Sequence, residues 1–340
     1  MQPKLLVISL NFRTAEMTLR SVQFALREMQ GLNAELVIVD NDSGDGSFET
    51  MQAALASEPW AQCAPVRLIQ SGHNGGFGAG NNVGIRAGWS DGSRPDYVYI
   101  LNSDAFPDPG SIRALYDHLE SHPATGFAGS YIHGEDGEAH MTAFRFPSVA
   151  SEFEGAARFG PFSRLLKHKI VPIGIPQTRE RVDWLAGASM MMRQSVLDEI
   201  GLFDETFFLY FEETDLCLRA ARAGHEVHYI RDSEVTHIGS VSTGMKTWQR
   251  IPGFWLDSRW HYYSKNHGRA YAALATLAHV AGGGLWRLRR LVQNKPPADP
   301  PHFLRDLVFH DLKALVRPLP GKRAAVTSPK DGTAFETPAE

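Results

Sequence analysis

One acidic segment of this sequence combines a side chain that can bind a metal ion with a position at the end of a strand. Asn102, Ser103 and Asp104 directly follow the apolar run 97–101, which is typical of a buried strand. Mg²⁺ and Mn²⁺ at phosphate sites are commonly held by only one or two carboxylates together with the substrate. The segment therefore predicts that Asp104 holds a divalent cation that bridges two phosphates.

A second acidic cluster stands at the start of a predicted helix and contains Glu212, Glu213 and Asp215. Asp215 and Arg219 are four residues apart, so they can pair along the helix surface in a structural role. Glu212 and Glu213 lie in the first turn, where the helix dipole favours the ionised form of a carboxyl group. An ionised carboxylate at the edge of a pocket can serve as a general base. The alternative is that the three acidic residues only favour the start of the helix.

A glycine-rich run, residues 74–82, follows another predicted strand and reads Asn-Gly-Gly-Phe-Gly-Ala-Gly-Asn-Asn. So many glycines suggest that the backbone approaches a ligand closely. The spacing does not match the dinucleotide-binding pattern G-x-G-x-x-G, because Asn81 and Val83 stand where the two registers would need their third glycine. We expect a loop that enters a helix near Asn81 and offers backbone N–H groups to a phosphate or packs against a sugar. A purely structural turn is the alternative.

Asp40 has a similar position after the buried run 36–39, where its carboxylate could accept hydrogen bonds from a nucleobase or ribose. An isolated aspartate at a strand end is more often a turn former or a helix cap. Asp42, Ser43 and Asp45 are placed to fill that capping role for the helix that follows. Asp40 is therefore kept as a candidate ligand contact.

The elements that would position these residues alternate between strand and helix over the first hundred residues, which is typical of a parallel sheet flanked by helices. Ligands of such sheets bind at the carboxyl ends of the strands. The pattern changes after about residue 125, and residues 152–177 look irregular. Predicted strands are 5–10, 36–39, 66–69, 97–101, 127–132, 140–146, 189–192, 226–230 and 234–238, and predicted helices are 14–29, 194–200, 212–223 and 270–286.

Composition excludes several classes of protein. The chain has 340 residues, with 34 basic and 38 acidic side chains and a net charge of −4, which gives no electrostatic reason to expect nucleic acid as a partner. Its two cysteines, Cys63 and Cys217, predict neither a disulfide framework nor a structural zinc site. The first residues lack the apolar core and cleavage site of a secretory signal. We therefore expect a cytoplasmic protein whose mature chain begins here.

The C-terminal region contains a candidate membrane-contact helix. Residues 270–286 are uncharged but fall short of the roughly 20 residues needed to span a bilayer, and they include His279 and three consecutive glycines. A helix packed on the protein, with a solvated basic end, is one interpretation. A helix that lies against an anionic membrane face is the other, because Trp286 is followed by Arg287, Arg289, Arg290 and Lys295. We predict a catalytic domain over 1–245, a helical region over 246–318 and a disordered tail over 319–340.

Taken together, the motifs resemble the inverting GT-A glycosyltransferases of family 2, and more narrowly the bacterial rhamnosyltransferase-like branch that includes galactofuranosyltransferases. The resemblance implies an α/β GT-A fold with a mainly parallel central sheet flanked by helices and a C-terminal helical appendage. It also implies transfer of a sugar from a nucleotide-diphosphate donor. The resemblance runs in order from about residue 4 to 240 and is carried by residues 39–41, 74–82, 101–104, 183–188, 203–205 and 210–216.

The resemblance also implies which residues bind the metal ion and which residue acts as the general base. Asn102-Ser103-Asp104 stands where the family has D-x-D, so Asp104 is the expected ligand of Mg²⁺ or Mn²⁺ and Asn102 becomes a donor contact. His237 matches a histidine that completes the metal site, although a lone histidine is more often structural. The polar loop 239–244 after it could close over a diphosphate. Glu213 falls where the family has its catalytic aspartate, but glutamate is one methylene longer, so Glu212 remains the alternative base.

The remaining assignments concern the two substrates. Asp183, Trp184 and Gly187 are expected near the acceptor, with Trp184 offering a face on which a sugar can stack. The residues expected to bind the donor are Asn11, Asp40, Asn74, Gly75, Gly76, Phe77, Gly78, Asn82, Asn102, Ser103 and Asp104.

Substrate identity is less specific than reaction class. The similarity favours L-rhamnose from dTDP-L-rhamnose, moved to a saccharide or lipid-linked saccharide, with a UDP-sugar such as UDP-galactofuranose as the alternative. Two other classes stay open. A sugar-phosphate nucleotidyltransferase should have glycines after its first strand, but residues 10–14 contain none. A non-catalytic nucleotide-sugar binding protein would not need both Glu213 and His237. No oligomeric state is indicated.

Overall fold

A computed structural model describes residues 2–239 and 249–317 of the chain. The predicted tail over 319–340 and most of the polar loop expected after His237 lie outside these residues. The strands are β1 Leu5–Asn11, β2 Ala34–Asp40, β3 Val66–Gln70, β4 Tyr97–Asn102, β5 Ala105–Pro107, β6 Thr125–His133, β7 Ala139–His140, β8 Ala143–Phe144, β9 Glu180–Val182, β10 Trp184–Leu185, β11 Ser189–Arg193 and β12 Glu226–His237. The helices are α1 Ala15–Glu28, α2 Ser47–Ser57, α3 Phe77–Ala87, α4 Ser111–Ser121, α5 Val149–Ala157, α6 Gly160–Leu165, α7 Gln194–Ile200, α8 Glu212–Arg222, α9 Gly253–His267, α10 Arg269–Gln293 and α11 Phe303–Val316.

The centre of the fold is a mixed sheet with the strand order β3-β2-β1-β4-β11-β6-β12-β5. The pairs β3-β2, β2-β1 and β1-β4 are parallel, as the alternating pattern predicts. β11 runs antiparallel between β4 and β6, and β5 runs antiparallel to β12 at the edge. The register places Asn11 beside Asp40 and Leu10 beside Asn102, so the carboxyl ends of β1, β2 and β4 meet at one edge of the sheet.

Helices cover both faces of this sheet, which explains why its strands are almost continuously apolar. Leu5 and Val7 point to the face covered by α1 and α4, whereas Leu6 and Ile8 point to the face covered by α3, α7 and α8. All four side chains are fully buried. The strands of the parallel part are therefore held rigidly, and the side chains at their ends are held with them.

Four local expectations from the sequence are wrong. The helix after the glycine run begins at Phe77 and not near Asn81. Part of the stretch expected to be irregular belongs to α5 and α6, and α5 begins with a capping box between Ser148 and Ser151 that the sequence reading overlooked. The strand expected over 140–146 is the two short strands β7 and β8. The two strands expected over 226–238 form one strand, β12, with a bulge after Ile230.

The C-terminal helices pack against the start of α8. The expected pair between Asp215 and Arg219 is present, with Arg219 Nε 2.9 Å from Asp215 Oδ2. Lys265 and Asn266 of α9 also bind the Asp215 carboxylate, at 2.7 and 2.8 Å. Asp215 is fully buried, so these three partners replace its lost hydration. The predicted helix over 270–286 is present as the longer α10, and none of the described helices is long and apolar enough to cross a membrane.

Candidate active site

A cavity of about 240 Å³ lies at the carboxyl edge of the sheet, and we call it the sheet-edge cavity. Asp104 follows β4, and the pairing of β5 with β12 places His237 opposite Ala105. As a result the Asp104 Oδ1 and His237 Nε2 atoms are 3.0 Å apart, although the two residues are 133 positions apart in the chain. The cavity is lined by Leu10, Phe12, Asn41, Asn74, Gly76, Phe77, Asn102, Ser103, Asp104, Phe208, Leu209, His237 and Phe254.

The pair of Asp104 and His237 fits a divalent cation that takes its other ligands from a substrate. A carboxylate oxygen and an imidazole nitrogen converge at the cavity wall, where Asp104 is 6% exposed. Mg²⁺ in particular is usually held by one or two carboxylates plus phosphate oxygens and water. The donor set is therefore suited to an ion bound together with a diphosphate.

Six of the residues expected to bind the donor line this cavity and five do not. Those that do are Asn74, Gly76, Phe77, Asn102, Ser103 and Asp104, and those that do not are Asn11, Asp40, Gly75, Gly78 and Asn82. Asn11 Nδ2 donates to Asp40 Oδ1 at 2.7 Å, and Ser43 Oγ donates to the same oxygen at 2.6 Å. Asp40 thus belongs to a buried network beneath the cavity. The next residue, Asn41, lines the cavity. It was not predicted as a donor contact, because the sequence pattern favoured the aspartate at the end of the strand.

The glycine run also has a packing role, which the sequence did not predict. A Cβ atom on Gly76, which has φ +89°, would lie 1.8 Å from the carbonyl oxygen of Phe208. A Cβ on Gly80 would lie 2.5 Å from Leu10. Asn82 Nδ2 donates to the Phe203 carbonyl and to Glu205, both at 2.9 Å. Residues 76–82 therefore hold the segment 203–211 and let α3 press onto β1.

A second cavity, of about 550 Å³, lies beside the first, and we call it the aromatic cavity. Glu213 lines it and accepts a hydrogen bond from the Gly187 N–H at 3.1 Å. Trp184 also lines it and is stacked on Phe144 with ring centroids 4.1 Å apart. The lining residues are Phe144, Pro147, Ser151, Glu152, Gly155, Ala156, Val171, Trp184, Ala186, Tyr210, Phe211, Glu213, Thr214, Trp255 and His279.

The other two residues expected at the acceptor act from behind this wall. Asp183 Oδ2 accepts the Phe146 N–H at 2.8 Å, so Asp183 fixes the segment after β8 and does not line the cavity. Gly187 leaves room for the general-base candidate, because a Cβ there would lie 2.6 Å from Glu213 Oε1 and 3.0 Å from the Phe77 ring. Gly187 thus sets the position of Glu213.

The turn that begins α8 is strained and points two aromatic residues into the same cavity. Tyr210 and Phe211 both have φ +70°, a conformation that L-residues seldom adopt and that costs of the order of 1–3 kcal/mol each. Their side chains line the aromatic cavity next to Glu213. The sequence did not predict a role for Tyr210 and Phe211, because their residue types do not indicate a left-handed backbone conformation.

Burial raises the pKa of both candidate bases. Glu212 is 1% exposed and lines neither cavity, and burial, aided by the charge of Glu213, raises its pKa well above the usual value. Burial also raises the pKa of Glu213, against the hydrogen bond from Gly187. The sequence predicts that the helix dipole favours the ionised form, but the loss of hydration outweighs this effect. Of the two, only Glu213 is placed to meet a ligand.

Replacing Glu212 with glutamine is expected to make the protein more stable than the wild type at high pH. Because the pKa of Glu212 is higher in the folded chain than in the unfolded chain, the wild type loses stability as pH rises from about 4.3 through the folded-state pKa. Glutamine does not ionise, so the difference in Tm should be small near about pH 4 and should grow towards about pH 8. A difference in Tm that stays constant with pH would contradict this expectation.

The two cavities adjoin but are separate: Asp104 and His237 line the first, and Glu213 lines the second. A Cβ on Gly187 would lie 3.0 Å from the ring of Phe77, which lines the sheet-edge cavity, and 2.6 Å from Oε1 of Glu213, which lines the aromatic cavity. In the same wall Tyr210 stacks on Phe254, with ring centroids 6.4 Å apart. The separation is therefore about one layer of side chains thick.

Comparison with known proteins identifies the chain. A family model described as glycosyl transferase family 2 matches residues 6–201. The chain belongs to glycosyl transferase family 2. An N-acetylglucosaminyl-diphospho-decaprenol L-rhamnosyltransferase of Mycobacterium tuberculosis is 33% identical over 224 residues, which is 62% of this chain and 68% of the relative. Rhamnosyltransferase WbbL of Escherichia coli is 30% identical over 165 residues, 48% of this chain and 60% of the relative.

Solved structures confirm the GT-A fold of this family 2 enzyme. A mannosyltransferase from Pyrobaculum calidifontis, in complex with GDP-Man and Mn²⁺, is 14% identical with a TM-score of 0.52 and covers 93% of this chain and 87% of that one. GalNAc-T7 with UDP, GalNAc and Mn²⁺ is 13% identical with a TM-score of 0.56 and covers 91% and 55%. The chain is a glycosyltransferase, so a nucleotidyltransferase and a non-catalytic binding protein are no longer needed as alternatives.

This family 2 glycosyltransferase has a second carboxylate–imidazole group at the other end of β5. Single ligand atoms of Asp108, His133 and Glu234 lie within 4.8 Å of one another, with His133 Nε2 3.0 Å from Asp108 Oδ2. Arg231 already binds the Glu234 carboxylate. None of these residues lines the sheet-edge cavity. The group is therefore a cluster of ion pairs outside the sheet-edge cavity.

Proposed function

We propose that this glycosyltransferase moves a sugar from a nucleotide-diphosphate donor in the sheet-edge cavity to a hydroxyl group of an acceptor in the aromatic cavity. The observation that carries the proposal is the position of Glu213, one side-chain layer from the cavity that holds Asp104 and His237. A carboxylate so placed can reach an acceptor hydroxyl from the side opposite the leaving group. Such a single displacement inverts the anomeric configuration.

Residues of the two cavities have different proposed roles in the reaction. Asp104 and His237 would hold Mg²⁺ or Mn²⁺, and the bound ion neutralises the charge that develops on the departing nucleoside diphosphate. Glu213 accepts the proton of the acceptor hydroxyl as that oxygen attacks the anomeric carbon. Its raised pKa brings it closer to the operating pH, where a general base is most effective. Trp184 offers a flat apolar face for the acceptor sugar.

The relatives support a finer choice of substrates. We propose L-rhamnose from dTDP-L-rhamnose as the donor, because two of the similar curated proteins are named rhamnosyltransferases. A UDP-sugar is the alternative, since pocket differences worth about 1–3 kcal/mol are enough to change such a preference. We propose a lipid-linked saccharide as the acceptor, because the name of the Mycobacterium tuberculosis relative includes a diphospho-decaprenol.

A donor panel tests the proposal. Purified protein is incubated with dTDP-L-rhamnose, UDP-galactofuranose, UDP-glucose or GDP-mannose, with Mg²⁺, Mn²⁺ or EDTA, and release of the nucleoside diphosphate is measured with and without a saccharide acceptor. We expect metal-dependent release that is fastest with dTDP-L-rhamnose and increases when an acceptor is added. Release that is insensitive to metal, or absent for every donor, would overturn the proposal.

We also propose that the enzyme works at the inner face of the cytoplasmic membrane, held there by α10. Residues 269–298 contain five basic residues and no aspartate or glutamate, which suits an anionic lipid surface. The outer face of α10 carries a stripe of uncharged residues that are three or four positions apart. Within this stripe the side chain of Leu277 is 64% exposed and that of Leu288 is 65% exposed. The stripe comprises Ala270, Leu274, Leu277, Ala281, Gly284, Leu288 and Leu291.

Vesicle sedimentation tests this membrane contact. The wild type is expected to sediment with vesicles that contain phosphatidylglycerol and much less with pure phosphatidylcholine. Changing Leu277 and Leu288 together to glutamate should abolish sedimentation, whereas Met141→Glu, at an exposed apolar residue outside the C-terminal helices, should not. If the double variant sediments normally, or instead converts a dimer into a monomer, the stripe does not bind lipid.

A further inference from the structure

A buried ionic network stands behind the aromatic cavity and joins it to the C-terminal helices. Its centre is Arg259 of α9, which is 1% exposed and lies 3.1 Å from both Glu152 and Asp311. Glu152 of α5 also accepts hydrogen bonds from the Tyr263 hydroxyl at 2.8 Å and from His279 Nδ1 at 2.6 Å. Arg259 contacts both oxygens of Glu152, so with Tyr263 and His279 four contacts occupy them and this carboxylate has little capacity left for a ligand.

The network fixes the orientation of His279. Burial opposes the ionisation of Glu152, but Arg259 and His279 outweigh it and lower the pKa of that carboxyl to about 2. Glu152 therefore stays ionised and accepts the Nδ1–H of His279. The other ring nitrogen of His279, Nε2, has no hydrogen-bond partner within residues 2–239 and 249–317. It is also not one of the buried polar atoms of these residues that lack a partner, so Nε2 is accessible to solvent. His279 itself lines the aromatic cavity.

The rest of the lining limits what this cavity can bind. The residues described around it include Glu213 and Glu152 but no lysine or arginine. A phosphate or carboxylate placed there would meet Glu213 without a lysine or arginine in the lining, because Arg259 lies behind the wall and is already paired with Glu152 and Asp311. The rings of Trp184, Trp255 and Tyr210 instead favour a neutral ligand with an apolar face and hydroxyl groups. These features fit an uncharged sugar ring.

We propose that His279, supplied by the C-terminal helices, binds the neutral sugar ring of the acceptor through Nε2, and that the diphosphate of a lipid-linked acceptor stays outside the aromatic cavity. This inference rests on the proposed function and deepens it. His279 and Trp255 both lie beyond residues 6–201, the part that matches the family model. Acceptor recognition is therefore shared between Trp184, which lies within the part that the family model matches, and the C-terminal helices, which lie outside it.

The test compares two histidines that are tied to the same network. His279→Asn keeps a group that can donate to Glu152 but removes the second ring nitrogen, Nε2. His310→Asn is the matched control, because His310 Nδ1 is 2.8 Å from Asp311 and the residue lines a different groove. Each protein is assayed with dTDP-L-rhamnose and N-acetylglucosaminyl diphosphate bearing a short isoprenoid tail. Acceptor KM, kcat, Tm and donor hydrolysis without acceptor are measured.

We expect His279→Asn to raise the acceptor KM by about tenfold, the effect of one lost hydrogen bond, with donor hydrolysis unchanged. His310→Asn should leave the acceptor KM unchanged. An unaltered KM in a folded His279→Asn protein would overturn the inference while leaving the proposed function intact. If the wild type neither hydrolyses nor transfers the sugar, the proposed function itself fails.

A second measurement needs no variant. The wild type is given an acceptor whose sugar is neutral N-acetylglucosamine and a matched acceptor whose sugar carries a carboxylate. We expect at least about tenfold higher kcat/KM for the neutral sugar, because a second carboxylate would stand near Glu213 without a lysine or arginine in the lining to pair with it. Equal use of the two acceptors would overturn the assignment of a neutral sugar to this cavity.

Discussion

Replacing Glu213 with glutamine is expected to lower turnover by about 10²- to 10⁴-fold, the usual contribution of a general base. Glutamine keeps the size of the side chain and can still interact with the Gly187 N–H, so the aromatic cavity should stay intact. It cannot accept the proton of the acceptor hydroxyl. The Kd for the nucleoside diphosphate should not change, because Glu213 does not line the sheet-edge cavity.

Glu212→Gln is the matched control for this experiment. Glu212 is adjacent in sequence, equally isosteric with glutamine, and buried away from both cavities. We expect Glu212→Gln to retain turnover within about a factor of ten, while Glu213→Gln loses it and still binds dTDP as measured by calorimetry. If the two variants show the reverse pattern, the base is Glu212. If neither affects turnover, proton transfer by these residues plays no part in the rate.

The sequence allowed prediction of what depends on local pattern. Continuous apolar runs such as 97–101 predict strands buried on both faces, and the residue that follows such a run must lie at the sheet edge. Asp104 lies at this edge, as the pattern predicts, while its role as a metal ligand stays a prediction. The position of His237 beside it came from the resemblance to a family, because no local property links two residues 133 positions apart. The structure supplies that link through the pairing of β5 with β12.

The parts that could not be predicted depend on contacts between distant segments. The sequence does not show whether Gly76 and Gly80 face a ligand or another part of the chain. Only the structure shows that Gly76 lies against the backbone of Phe208 and Gly80 against the side chain of Leu10. Asn82 looks like a ligand contact until the loop at Phe203 is found against it. The role inferred for His279 needs Glu152, which lies 127 positions earlier in the chain.

The second large effect is expected at the sheet-edge cavity, where two aspartate–histidine pairs can be compared on one short strand. Asp104 precedes β5 and is 3.0 Å from His237, and Asp108 follows β5 and is 3.0 Å from His133. The pairs have the same chemistry and the same separation, but Asp104 and His237 line the sheet-edge cavity, whereas Asp108 and His133 do not. We therefore expect binding of the divalent cation to depend on Asp104 and not on Asp108.

Asp104→Asn should weaken Mn²⁺-dependent binding of dTDP by about 100-fold or more, because an ion bound with a diphosphate contributes several kcal/mol. Asparagine keeps an oxygen that His237 can approach but loses the charge that the cation needs. Asp108→Asn should bind Mn²⁺ and dTDP like the wild type, since Glu234 beside it is already neutralised by Arg231. Calorimetry with Mn²⁺ alone, dTDP alone and both together distinguishes the two groups. The contrary result is loss of Mn²⁺-dependent binding in Asp108→Asn but not in Asp104→Asn. The ion would then bind at the far end of β5, outside the sheet-edge cavity, and there would be no reason to place the donor in that cavity.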